Sequence, residues 1–337
     1  MSLTAKNIIS LLSLEGVGRT SVLCFAKYAE RSGFEIHKIE DYRELISICH
    51  KTEKCRINAE DYSNSDFERV DGIANGIIDK THDKGIKIVS YSDDSFPSKL
   101  KHIVSKKISA KGKETIKDES SVILYYRGDD ISRLNDIMSV AIIGTREPTQ
   151  EGKTAGLYMA KEFSKQGFNI VGGLALGCDT YAHEGAVEAG GITTAFVAHG
   201  LHTIFPKENE ELAKEIVSKG GFLISEYPIG VEPYAPYFVE RDRLQSGLAD
   251  ATIVIQTGIA GGTMHAVIAT LDNDKPLFAV VFTSDDVMYH EKVLGNIYLI
   301  KEKKAIPINS SNLGECISLI KNKQSDKAIY GEQLSLW

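Results

Sequence analysis

The sequence predicts an α/β chain: a doubly wound, mostly parallel sheet preceded by a small all-α N-terminal domain. Three observations carry this. From residue 121 to about 320, apolar runs of strand length alternate with segments of helical period. Within that stretch an apolar run at 140–143, a glycine turn, an amphipathic segment at 152–167 and a second apolar run at 168–171 make one βαβ unit. Before residue 85 only helical periodicity is visible.

Taken in order, residues 4–51 place Ile8, Ile9, Leu11 and Leu12 ahead of Leu14-Glu15-Gly16-Val17-Gly18-Arg19-Thr20. Val22, Leu23, Phe25, Ala26 and Tyr28 follow at helical spacing. Two helices joined by GVGR have the form of a helix-hairpin-helix, whose glycine turn offers backbone amides to a DNA phosphate. A plain αα turn that needs glycine only for its backbone angles reads slightly better from one short hairpin. Phe67, Val70, Ile73, Ile77 and Ile78 continue the helical pattern, giving a domain over 1–84. The connecting segment 85–120 holds a strand at 86–90, a turn at 92–97 and a lysine-rich, apolar-poor stretch at 105–119, expected as a flexible insertion. A strand at 122–126 then ends in Arg127-Gly128 and opens the sheet domain, 121–320.

Past the first βαβ unit, Asp179 is placed as the N-cap of a helix at 181–189 that contains His183. Strands are expected at 193–198, 222–225, 252–256 and 277–282, with a short last one at 298–300. Helices are expected at 210–219, 240–248 and 263–271. In such sheets ligands bind beyond the strands' carboxyl ends. Gly144, Thr145 and Arg146 lie there, as do Gly172-Gly173, where backbone N–H groups can approach a phosphate closely. A simple βα turn with a solvated arginine accounts for the same residues equally well.

Composition narrows the function. The chain has 337 residues, 42% hydrophobic and 25% charged, within the range of ordinary globular proteins. No apolar run approaches the length of a membrane span and no signal-peptide pattern opens the chain, so a cytoplasmic protein without membrane contact is expected. Five scattered cysteines without a CxxC pair suit a reducing compartment and argue against a zinc ribbon. With a net charge of −7, nucleic acid would have to meet a local basic patch.

The candidate chemistries thin out quickly. His183, His199 and His202 lack a third ligand at a recognisable spacing, so no metal is expected. Cys178 has no base partner and no serine sits in a GxSxG elbow, so no catalytic residue is assigned. The turn at Gly144 is not GxGxxG, and no cofactor is expected. Anion binding remains: Arg146, Lys153, Lys207, Arg241 and Arg243 fall near predicted strand ends, interleaved with Tyr227, Tyr234, Tyr237 and Phe238. Bases stack on aromatic rings while basic groups follow the phosphates. A Pro/Tyr loop packed on the core explains those aromatics nearly as well.

Together these residues resemble the DNA-processing protein A (DprA/Smf) family. The matching stretches are VAIIGTREPTQEG (140–152), GGLALGCDTYAHEGAVEAGG (172–191), GLHTIFPKENEELAKEI (200–216) and SEYPIGVEPYAPYFVERDRLQSGLAD (225–250). Asp93-Asp94-Ser95-Phe96-Pro97 and Tyr126-Arg127-Gly128 match as well. The resemblance implies an extended Rossmann-like domain that binds single-stranded DNA without enzymatic activity, protects it, dimerises, and helps load a RecA-type recombinase in DNA uptake and recombination. It implies phosphate contacts for Arg146 in the glycine-small-arginine turn, for Lys207 and Asn209 in the YPxxN-like motif, and for Arg241 and Arg243 in the RNR-like motif.

The chain departs from the family pattern at Asp242, where asparagine is usual, and at Val239, where proline is usual. Its loop AGGTMHA (260–266) replaces an SGSLxTA-type sequence. Gly261-Gly262-Thr263 resembles the phosphate loop of nucleotide phosphoribohydrolases, but His265 and Ala266 stand where their glutamate follows. A nucleotide-binding sensor or hydrolase on the same rim is therefore the alternative function. Residues 321–337 read as a flexible polar tail ending in Gln333-Leu334-Ser335-Leu336-Trp337. That ending resembles the pentapeptide with which bacterial proteins dock on the replicative sliding clamp, with Gln333 hydrogen-bonding and Leu334, Leu336 and Trp337 as apolar anchors. A tail folded back on its own domain is the equal alternative.

Overall fold

In the computed structural model, residues 3–108 and 112–334 are described. The chain begins with α1 (Ala5–Leu12), α2 (Arg19–Ser32), α3 (Ile39–Thr52) and α4 (Asn64–Asp83). Strands β1 (Lys87–Ser90), β2 (Val104–Ile108), β3 (Glu114–Asp118) and β4 (Ile123–Arg127) follow, then α5 (Arg133–Asp136) and β5 (Ser139–Ile143). Next come α6 (Gln150–Lys165), β6 (Asn169–Gly172), α7 (Cys178–Glu188), β7 (Thr193–Phe196), α8 (Glu210–Ser218) and β8 (Phe222–Ser225). The remainder is α9 (Ala235–Leu248), β9 (Ala251–Val254), α10 (Met264–Asp272), β10 (Leu277–Val280), α11 (Asp285–Met288), α12 (Glu291–Glu302), β11 (Ile306–Ile308) and α13 (Leu313–Leu334).

These elements form two compact units. The first comprises residues up to Asp136 with Val197–Thr203 and Phe222–Tyr237; the second comprises Ile137–Phe196, Ile204–Gly221 and the chain from Phe238 on. This division differs from a border at 120/121, because β8 and two later loops return to the first unit. In that unit β4 pairs antiparallel with both β1 and β8. The four helices bury Ile8, Phe25, Leu45 and Phe67 completely. Capping boxes at Thr4 and Ser63 start α1 and α4 by satisfying free N–H groups.

In the second unit the strands run β7-β6-β5-β9-β10-β11, and every neighbouring pair is parallel. Val140, Ile142, Ile170, Ile253 and Phe278 form one face, on which α6, α7 and α13 place Met159, Phe163, Ala182 and Ile317. Ala141, Val171, Val254 and Ala279 point the other way and are equally buried. Burial on both faces is why the strands read as continuous apolar runs instead of alternating ones. The expected α/β class, mostly parallel with a helical start, is the one found.

Several local expectations are corrected. Residues 298–300 belong to α12, and the last strand is β11. Their short apolar run fits either state, and Val293, Asn296 and Leu299 bury the helical face. The lysine-rich stretch forms an antiparallel pair, β2 with β3. Val104, Ile108, Thr115 and Ile116 supply β-branched residues, while Arg19–Glu119 and Lys27–Asp118 ion pairs anchor the stretch to α2. The polar segment after 320 continues α13 to Leu334. Gly177, not Asp179, is the N-cap of α7, and Asp179 sits in its first turn.

One buried side chain joins three segments of the second unit. Asn296, on α12, donates Nδ2 to the carbonyls of Ile255 (2.8 Å) and Val280 (3.0 Å), and its Oδ1 accepts from Thr257 N (3.0 Å). Asn296→Ala would leave these groups buried and unpaired. We expect a loss of about 2–3 kcal/mol, read from the urea unfolding midpoint.

Candidate nucleic-acid interface

The site begins where β5 ends. Thr145 N donates to Gln256 O (2.7 Å), and Cys178 N donates to Thr145 O (3.1 Å), so the turn is tied to β9 and α7. A Cβ at Gly144 would stand 2.5 Å from Cys178 Sγ and 2.8 Å from Gln256 O. Glycine is required here by internal packing. Thr149 caps α6 by accepting from Gly152 N, and Gln256 reads both the amide and the hydroxyl of Thr149. The backbone on either side of Arg146 is thus held while its side chain stays exposed.

The Arg146 guanidinium carbon lies 5.8 Å from the centre of the Phe238 ring, and Phe238 lies 5.9 Å from the Phe205 ring. Phe205 is 46% exposed, and exposed Lys207 follows two residues later. The result is an outward row of one cation and two rings, with a second cation beside Phe205. Lys153, on α6, lies over the Tyr181 ring at 4.9 Å. In the first unit Tyr227 stacks on Tyr237 at 4.2 Å, and Tyr234 meets Tyr237 edge-on at 5.2 Å.

Beneath the row lies a buried charged cluster. The Arg241 side chain is 5% exposed and its Nη1 stands 3.7 Å from Asp242 Oδ1. Asp179 accepts from Gly173 N at 2.8 Å. A Cβ on Gly173 would fall onto the Arg241 guanidinium, and one on Gly172 would stand 2.8 Å from His183 Nε2. The glycine pair is therefore accounted for by close packing of a buried cation and a buried imidazole. Burial pushes the Asp179 carboxyl up, against the pull of Arg241 and the Gly173 amide. Burial, aided by Asp179 and opposed by Arg241, pushes Asp242 up to about 6.

The remaining expected site residues fall in different places. Arg243 is buried and donates Nη1 to Glu240 O (2.9 Å), so both arginines of that motif are turned into the fold instead of being open to solvent. Asn209 is also buried, donating to Leu174 O (2.9 Å) and Thr180 Oγ1 (2.9 Å). It braces Leu174, which takes a left-handed φ of 61°. Gly261, Gly262 and Thr263 lead into α10, with Thr263 as its N-cap. Their link to the cluster is His265, whose charge acts on Asp242. Gln333 and Leu334 end the backbone of α13, while Ser335, Leu336 and Trp337 lie outside the described residues.

Gly177 has a role the sequence left unread. At φ 83°, it lies where a Cβ would run into the carbonyl group of Arg146. Its only local signal is a glycine directly before a helix. His183 pairs Nδ1 with Thr193 Oγ1 (2.7 Å), and burial with Arg241 nearby pushes it down to about 3. Cys178 is pushed up to about 12 by burial, so it is a protonated packing residue at neutral pH. No group of three His, Cys, Asp or Glu side chains able to hold a metal is found among the described residues.

Two outcomes follow from this geometry. Gly173→Ala must displace Arg241 and should cost roughly 1–3 kcal/mol, seen as a lower denaturation midpoint. For Asp242 the folded pKa lies above the ordinary 3.8. Ionising it therefore costs the native state, by an amount that grows from about pH 4 to about pH 6 and then stays constant. Asp242→Asn should raise Tm relative to wild type at pH 7.5, with the gap closing toward pH 4 in a thermal-shift series.

Comparison with known proteins places this geometry in a lineage. The model of the family DNA recombination-mediator protein A matches residues 87–317. The chain is 31% identical over 198 residues to DNA processing protein DprA of Bacillus subtilis, covering 59% of this chain and 61% of that protein. It is 31% identical over 141 residues to Protein Smf of Escherichia coli, covering 42% and 38% respectively. The chain thus spans less than two thirds of the length of either relative. In fold it is similar to DNA processing protein A of Streptococcus pneumoniae, with a TM-score of 0.70 and 24% identity over 93% of this chain and 97% of that one. It is also similar to the Helicobacter pylori protein solved for its single-stranded DNA binding mode, with a TM-score of 0.55 and 27% identity over 72% and 98%. On the family match, which takes in more than half of its length, the chain belongs to the DNA recombination-mediator protein A family.

Proposed function

We propose that this chain binds single-stranded DNA without chemical turnover, protects it, and passes it to a RecA-type recombinase during DNA uptake or recombination. The observation that carries the DNA reading is the exposed Arg146–Phe238–Phe205 row beside Lys207. Rings accept bases by stacking, at roughly 1–3 kcal/mol per base, and need no particular sequence. The two cations are spaced to follow a phosphate backbone, the usual arrangement for unpaired strands. Protection, recombinase loading and self-association are read from family membership. Docking on a sliding clamp is read from the Gln333–Trp337 sequence alone.

The test is fluorescence anisotropy of a labelled oligo-dT across a salt series. Affinity should fall with salt at a slope of about −0.7 per phosphate contacted. Arg146→Ala and Lys207→Ala should each weaken binding roughly tenfold (about 1.4 kcal/mol) and lower the slope by about 0.7. Being exposed, both variants should keep their stability within about 0.5 kcal/mol. Unchanged affinity in both would sink the assignment of the site.

A further inference from the structure

Asp242 stands directly beneath the proposed DNA site and faces charges from four elements. Arg241 of its own helix lies 3.7 Å away, and the Asp242 side chain is 19% exposed. Asp179 on α7, His265 on α10 and Arg146 from the turn after β5 act on it through space. Arg146 and Arg241 favour its ionised form, while the Asp179 carboxylate and the burial oppose it. Arg146 is also the group offered to an incoming phosphate. A phosphate seated there neutralises the cation that steadies Asp242 and brings a second negative charge toward it. The carboxylate then holds its proton more firmly than before. Arg241 cannot move away to compensate, because Gly173 leaves room for it in only one place.

We propose that seating a DNA phosphate at Arg146 is accompanied by uptake of one proton on Asp242, so that single-stranded DNA is held more tightly in mild acid and released as pH rises. This rests on the DNA-binding reading given above. In the free protein burial holds Asp242 near 6, and in the complex its pKa is higher still. Between those two values the bound state carries more protons than the free state. Affinity therefore falls with rising pH in that window, by at most tenfold per unit, and is flat below and above it. Phosphodiesters and thymine do not titrate there, so the dependence belongs to the protein.

The experiment is the oligo-dT titration at fixed ionic strength from pH 5.5 to 8.5, on wild type, Asp242→Asn and His265→Gln. Wild type should bind at least threefold more weakly at pH 8 than at pH 6. Asp242→Asn should be flat over the range and tighter than wild type at pH 8, and His265→Gln should keep the wild-type slope. Calorimetry of wild type at pH 6.5, in buffers of different ionisation enthalpy, should show net proton uptake on binding whether or not the variants fold. Wild-type affinity that does not change with pH, or no proton uptake, overturns the proposal and leaves the DNA-binding reading standing. A slope that survives Asp242→Asn and disappears in His265→Gln overturns it in favour of the histidine. No binding at any pH overturns the DNA-binding reading itself.

Discussion

The rim of the parallel sheet depends on accommodating one buried cation. Arg241 is nearly inaccessible, and a desolvated guanidinium persists only with negative charge and acceptors around it. Asp242 and Asp179 provide the charge. Gly173 provides the space, since any side chain there would occupy the place of the guanidinium. Asp179 in turn accepts from the Gly173 amide, which fixes the backbone that makes the space. The arrangement is closed on itself, and removing any one member strands another.

The outward-facing residues are positioned by this inner set. The loop from Gly172 to Gly177 packs Gly172 against His183 and Gly173 against Arg241, holds Leu174 in a left-handed conformation under Asn209, and seats Gly177 against Arg146. Arg146 can then be exposed without being mobile in its backbone, because the turn is also tied to Gln256 and Cys178. A charge displayed from a fixed backbone loses less entropy on meeting a phosphate than one on a free loop. The same coupling explains how an event at Arg146 reaches Asp242 through charge alone, with no moving element between them.

Glycine shows where reading a sequence and reading a structure part. Gly144, Gly172 and Gly173 mark the strand ends, and their position at the rim was legible from the apolar runs before them. Their reason was not. A glycine that lets a phosphate approach and a glycine that lets an arginine lie across it look identical in sequence. The buried state of Arg243 and Asn209 was equally hidden, since both residue types are usually exposed.

The order of elements, the parallel sheet, the glycine turns and the family were determined by the sequence itself, because apolar period and motif order are local properties of the chain. The placement of Arg146 on the surface followed from the same local logic. Only the tertiary structure decided that Arg241 lies inside against Asp242, that Asn209 braces a turn instead of meeting a ligand, that Gly177 seats Arg146, and that β8 pairs antiparallel with β4. Burial, counter-charge and pairing direction are set by segments up to about a hundred residues apart, and no spacing along the chain encodes them.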